Sequence, residues 1–366
     1  MFQVSKQYIN CRCGLHLKEY QKSDPNNKDR VGIIDGNGKF TACHNHEHIN
    51  REKYNEVIPQ IIDEFLEAGF HGTEKFFEKE INIGQEYESL KKDNVDIDKI
   101  SAQKTSKSNM IIRNYMPHLY EVEDHKGVNL VSLWQQEKLE KAFKSLDKPS
   151  ATVNSQFSEI KRALKFNPVT LYSPIMTKSI VKELNCKTVF DPCIGWGGRM
   201  IGTTCLGEDY HYTGCEPFTK TFLGLEKMTK DIGLENQVTL YNSPVEDILP
   251  QLTEKRFDIC LTSPPYYDLE VYSHEETQSV QNYQTYDEWL TKFIKPIIDY
   301  VCSHVTKYSC WSVKNIKTDK KYNLLDDVIR FHLDNGWTLN KQFSIKKNTQ
   351  KNKSTDGDVT YVFVKG

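Results

Sequence analysis

The sequence predicts an α/β fold: a seven-stranded mixed sheet with helices on both faces over residues 151–366, preceded by a mainly helical region over residues 1–150. Three observations carry this. From residue 155 onward, short apolar runs alternate with helical stretches, as in a parallel sheet covered on both faces. A glycine-rich turn, Asp191 to Arg199, separates the first apolar run from the helix after it. The last two apolar runs are joined by a loop too short for a helix, so they should pair antiparallel.

The chain has 366 residues, enough for two domains and a sizeable core. Its 38% hydrophobic and 27% charged residues are those of a soluble globular protein. No apolar run approaches a membrane span, and Met1 to Lys6 does not begin a signal peptide, so a cytoplasmic location is expected. Ten cysteines in a reducing compartment read as thiols or metal ligands, not disulfides. The net charge of -2 does not mark a nucleic-acid binder, so any such surface must be local. Abundant Lys, Asn, Ile and Tyr fit an AT-rich genome, with phage or viral origin a compositional guess.

Residues 1–50 are rich in Cys and His. Arg30 to Phe40 carries the turn dipeptides Asp35-Gly36 and Asn37-Gly38 between apolar runs, a hairpin pattern. Cys11, Cys13, Cys43 and His46 would flank it as a Cys3His tetrahedral zinc set. His44 and His48 compete for the last place, and the alternative is buried thiols beside a solvated His-rich turn. Residues 51–93 read as helical, with Val57, Ile58, Ile61, Ile62, Phe65 and Leu66 at helical spacing and Gly69 as a stop. Residues 94–110 read as a polar linker, Ile111 to Tyr120 as a short extended piece, and Leu130 to Leu146 as a helix. Lys148-Pro149-Ser150 is the expected boundary.

Beyond it, strands are expected at Thr188–Phe190, His211–Cys215, Val238–Tyr241, Phe257–Leu261, Tyr308–Val313, Thr338–Ile345 and Val359–Val364. Helices are expected between them at Arg199–Leu206, Thr219–Asp231, Val245–Leu252, Tyr286–Val305 and Leu324–Asn335. The turn Asp191-Pro192-Cys193-Ile194-Gly195-Trp196-Gly197-Gly198 would let the backbone approach a ligand, with the next helix offering free N–H groups. Glu216, after the second strand, stands where an acid binds ribose hydroxyls in Rossmann-like folds. The fourth strand ends in Ser263-Pro264-Pro265-Tyr266-Tyr267-Asp268. Prolines there stop the strand and leave carbonyls free, so the tip offers a hydroxyl, a carbonyl and an aromatic ring to a flat, amino-bearing molecule.

The order Asp-Pro-x-x-Gly-x-Gly, Glu216, Ser-Pro-Pro-Tyr resembles the amino-directed DNA methyltransferases, over roughly residues 168–366. Ser-Pro-Pro-Tyr looks like the cytosine-N4 branch; Asp- or Asn-Pro-Pro-Tyr is more typical of adenine-N6 enzymes. The resemblance implies a class I methyltransferase fold and S-adenosylmethionine as cofactor. It implies that Asp191, Pro192, Cys193, Gly195 and Gly197 line the cofactor and that Glu216 binds its ribose. Tyr172, Ser173, Pro174 and Thr177 resemble the segment contacting the cofactor's methionine end. Where the family usually has an acid after the third strand, this chain has Asn242 and Ser243, and Ser243 is the candidate adenine contact. Tyr267-Asp268 stands where cytosine-N4 members often have Asn-Leu.

The implied chemistry is methyl transfer to the exocyclic amino group of a flipped base. Ser263 Oγ and the Pro264 carbonyl would accept its hydrogens while Tyr266 stacks on the ring. Cytosine-C5 chemistry is disfavoured because the sole Pro-Cys, Pro192-Cys193, lies in the cofactor turn. DNA is the expected partner, with Lys161, Arg162 and Lys165, or Lys346, Lys347, Lys351 and Lys353, as candidate phosphate contacts and residues 1–150 as the target-reading region. Self-protection in restriction-modification is one role open to such an enzyme. The alternatives are adenine-N6 DNA methylation, methylation of RNA or protein, and a DNA-binding adaptor with a vestigial methyltransferase fold.

Overall fold

The computed structural model describes residues 22–24, 27–34, 40–42, 51–77, 81–93, 108–145, 160–161, 163–164, 169–317, 319–344 and 359–366. Cys11, Cys13, Cys43 and His46 lie outside these residues, as do Arg162, Lys165, Lys346, Lys347, Lys351, Lys353 and the boundary at 148–150. Among the described residues no cluster of His, Cys, Asp and Glu could hold a metal ion. No described helix is long and apolar enough to cross a membrane.

The chain divides into two compact units, Met1–Glu80 with Val128–Pro168, and Ile81–Gly127 with Val169–Gly366. This differs from the single cut at residue 150. The segment 81–127 is held in the second unit by polar tips on apolar bodies. Tyr87 donates to Thr204 Oγ1 at 3.0 Å, and Tyr115 to Asp231 at 3.1 Å. The buried ammonium of Lys178 reaches the carbonyls of Leu90, Lys91 and Asp93 at 2.7, 2.8 and 2.5 Å. These are orphan acceptors at the carboxyl end of the helix Ile83–Lys92, where the helix dipole also favours a cation. Ile111 to Tyr120 is not extended: Asn109–Tyr115 is α-helical, and Pro117 opens a 3-10 turn, Pro117–Glu121.

In the first unit, strands Asn27–Ile34 and Phe40–Ala42 pair antiparallel as the hairpin pattern predicts, with Lys22–Asp24 as a third strand. The helical span Arg51–Phe77 is two helices that meet at Gly69, whose φ 67 and ψ 177 are non-helical, so Gly69 ends the first of them as expected. Ile61, Ile62 and Phe65 on one face are buried. Phe65 stacks on Trp134, whose indole N–H donates to the Phe65 carbonyl at 3.1 Å. The expected helix 130–146 is shorter, Gln136–Ser145.

The second unit is built on seven strands: β1 Thr188–Asp191, β2 His211–Cys215, β3 Val238–Tyr241, β4 Phe257–Thr262, β5 Val305–Ser312, β6 Trp337–Ser344 and β7 Val359–Lys365. Their spatial order is β3-β2-β1-β4-β5-β7-β6. All neighbouring pairs through β5 are parallel, while β7 runs antiparallel to both β5 and β6. This is the class I methyltransferase fold. The order reverses beside β1, so a crevice opens at the carboxyl ends of β1 and β4, where such sheets bind ligands. Helices α1 Pro174–Glu183, α2 Gly198–Thr204, α3 Thr219–Ile232, α4 Val245–Ile248, α5 Lys295–His304 and α6 Leu324–Asp334 complete the layers.

The core holds Phe190, Phe257, Trp289, Trp311 and Trp337, all 5% exposed or less. A polar chain fixes its far side. The Trp311 indole donates to Ser309 Oγ at 2.9 Å, and that hydroxyl meets His332 Nε2 at 2.8 Å. Burial pushes His332 down to about 4, so it is neutral at pH 7 and packs flat on Phe363.

Candidate active site

The first wall of the site is the turn after β1. Asp191 is fully buried, and its carboxylate is consumed within the fold. It accepts from Arg199 Nε at 2.6 Å, Tyr212 Oη at 2.5 Å, Thr262 Oγ1 at 2.8 Å and the Cys193 N–H at 3.2 Å. These donors come from β1's own turn, from α2, from β2 and from the end of β4, so Asp191 ties the glycine-rich turn to both neighbouring strands. Burial opposes the charge on Arg199, but Asp191 more than offsets it and holds the guanidinium charged. Its other face donates to the carbonyls of Cys193 and Ile194. The turn is therefore braced from behind.

Two glycines fit this turn for different reasons. Gly197, the N-cap of α2, has φ 84, and a Cβ there would come within 2.7 Å of Leu225. At Gly198 a Cβ would lie 2.0 Å from the Tyr172 carbonyl. Tyr172 itself packs under the Arg199 guanidinium, 5.0 Å from ring centroid to Cζ, and its hydroxyl pairs with Thr360 on β7. Thr177 is fully buried, and Ser173 caps α1. The segment expected to contact a methionine end thus packs behind the turn.

The second wall starts at Glu216. Its carboxylate accepts from the Gly195 N–H and the Phe218 N–H, both at 2.9 Å. Burial pushes its pKa up to about 8 in spite of those two donors. The shift has a definite sign. The folded protein holds this proton between pH 4.5 and about 8 and the unfolded chain does not, so the stability it contributes is full below 4.5 and is lost as pH rises through 8. Unfolding free energy of the ligand-free protein should fall by roughly 2–3 kcal/mol more from pH 6 to 9 in wild type than in Glu216→Gln. Denaturant titrations along that pH range check this, and parallel profiles would refute it.

The third wall is the tip of β4. The Ser263 hydroxyl donates to the Ser312 carbonyl on β5 at 3.1 Å, and Tyr266 Oη donates to the same carbonyl at 3.3 Å. With its proton engaged, Ser263 Oγ has lone pairs left for an incoming N–H. Tyr267 turns the chain back with φ 48, unusual for a bulky residue. Its ring is buried against Tyr286, Trp289 and Tyr322, and its hydroxyl donates to the Gln284 carbonyl at 3.2 Å. The second tyrosine is therefore an anchor that holds the tip.

These walls line one cavity that is partly open to solvent. It brings together Pro192, Cys193, Gly195, Glu216, Ser263 and Pro265 of the residues singled out from sequence. Tyr172, Thr177, Asp191, Gly197, Ser243, Pro264 and Tyr266 are not among the lining residues. The acid on the wall after β3 is Glu246, three residues beyond Ser243, in α4. Burial raises its pKa, and it accepts from Tyr283 Oη at 2.9 Å. Asn242 instead donates to the Glu216 carbonyl. Trp196, Phe218, Tyr272 and Gln278 also line the cavity. His118, pushed down to about 4 by burial, pairs with the lining Thr221 at 2.8 Å. Burial, with Asp191 beside it, holds the Cys193 thiol well above its ordinary range.

No protein-family model and no curated protein matches the chain. Solved structures do. The magnesium protoporphyrin IX methyltransferase of Synechocystis PCC 6803, with bound S-adenosylmethionine, is 12% identical at a TM-score of 0.34, covering 53% of this chain and 79% of its own. TrmN of Thermus thermophilus is 14% identical at 0.35, covering 52% of this chain and 48% of its own. An S-adenosylmethionine-dependent O-methyltransferase of Thermotoga maritima is 13% identical at 0.36, covering 56% and 70%.

Proposed function

We propose that the chain is an S-adenosylmethionine-dependent methyltransferase acting on the exocyclic amino group of a DNA base, cytosine N4 in preference to adenine N6. One observation carries this reading. Ser263 Oγ, its proton tied to Ser312, lines the same cavity as the Gly195 turn and the Glu216 carboxylate.

The residues present suit the cofactor. Pro192, Cys193 and Gly195 bring backbone to the wall, and Glu216 offers its carboxyl group to a ribose diol. Pro217, Phe218, Pro244, Val245 and Phe293 supply apolar surface for a flat ring. When bound, the cofactor supplies a methyl group already activated on a sulfonium. The protein's share is then positioning. Ser263 Oγ and the Pro264 carbonyl accept the two amino hydrogens, which favours a pyramidal nitrogen with an available lone pair. The nitrogen would form its bond to the methyl carbon as the sulfur–methyl bond breaks, leaving a neutral thioether, and one amino hydrogen would then leave as a proton to solvent water. Tyr266, its hydroxyl held by Ser312 and its ring beneath Lys314 at 5.5 Å, borders the tip as an aromatic surface.

A labelled-methyl assay with DNA and RNA as competing acceptors tests the substrate class. Label is expected in DNA. Label in RNA alone, or in protein alone, would overturn the DNA reading while keeping the amino clamp.

A further inference from the structure

We propose that Gln278 is a specificity-determining residue that donates a hydrogen bond from its side-chain amide to ring nitrogen N1 of the cofactor's adenine. This rests on the cofactor reading above. Gln278 lines the cavity and is 7% exposed, yet its Nε2 has no hydrogen-bond partner. A buried donor left unpaired is costly, so the fold carries this one against a gain realised elsewhere.

The backbone around Gln278 is held on every side. Its N–H donates to the Glu275 carbonyl at 3.0 Å, and its own carbonyl accepts from Gln281 and Asn282. On one flank Thr277 Oγ1 donates to the Pro217 carbonyl at 3.0 Å; on the other, Ser279 Oγ accepts from the Trp289 indole at 3.1 Å. Glu275 takes both the N–H and the hydroxyl of Thr219 at the start of α3. The segment is thus fastened next to Glu216, while the amide nitrogen of Gln278 stays unpaired.

The nature of the ligand edge follows from the neighbours. Tyr283, at the end of the one-turn helix that Gln278 opens, holds Glu246. The cavity lining therefore includes an acceptor, Glu246, and a donor, Gln278, together with apolar Pro217, Phe218 and Val245. Adenine offers the complement on its Watson–Crick edge: the N6 amino group donates and N1, beside it, accepts.

Calorimetric titration of S-adenosylhomocysteine into the full chain and Gln278→Met tests this. The variant should bind about tenfold more weakly, the scale of one lost hydrogen bond. Its ligand-free form should melt no lower than wild type, because the change removes an unpaired buried donor. A 1-deazaadenosyl analogue should bind wild type about tenfold more weakly than the parent, and the variant equally well. Three results would overturn the assignment alone: equal affinity of wild type and variant, a variant that separates the two analogues as wild type does, or weaker binding with a lowered melting point. Absence of binding to wild type would overturn the cofactor reading beneath it.

Discussion

Arg199→Leu is expected to destabilise the protein by about 3–5 kcal/mol, because it leaves a fully buried carboxylate without its counter-charge. Arg199 lies 4% exposed against Asp191 and also donates to two carbonyls of the turn. Equilibrium unfolding in denaturant reads the effect directly. Arg199→Lys keeps the charge but not the planar fork, so it should recover only part of the stability. Changing both members, Asp191→Asn with Arg199→Leu, should cost less than the sum of the single changes, since the stranded charge disappears. Additive losses would mean that the pair does not act as a unit.

Ser263→Ala is the second large effect. Turnover should fall by about 10²-fold, the scale of losing one hydrogen bond that strengthens as charge develops in a desolvated site. Affinity for S-adenosylhomocysteine should stay within about twofold, because Glu216 and the Gly195 turn are untouched. Loss of cofactor affinity with unchanged turnover would place Ser263 in binding instead.

The sheet was legible in the sequence because short strand-like runs alternate with helical stretches along the chain. His211–Cys215 and Val238–Tyr241 match the expected ends residue for residue, and the antiparallel pairing of β6 with β7 follows from their short connection. The unit boundary was not legible. Segment 81–127 is attached through Tyr87, Tyr115 and His118, single side chains whose partners lie roughly a hundred residues away, and such contacts leave no period in the sequence.

The site divides the same way. Gly195, Glu216 and Ser263 stand at strand ends, and strand ends are what alternation locates. Gln278 and Tyr272 belong to the irregular segment after β4, and Glu246 sits in a helix of one turn, so no periodicity marks them. Asp191 was found in sequence but for another role. Its place in the motif suggested a ligand contact, whereas its burial among Arg199, Tyr212 and Thr262 makes it the tie that holds the turn.

The central claim is that Ser263 and its proline neighbour clamp an amino group of a DNA base. The most direct measurement is incubation with methyl-labelled S-adenosylmethionine and mixed-sequence DNA, followed by digestion and separation of the nucleosides. The account predicts label in N4-methylcytosine, appearing about 10²-fold more slowly with Ser263→Ala. Label only in 5-methylcytosine, or in no nucleoside, would contradict it.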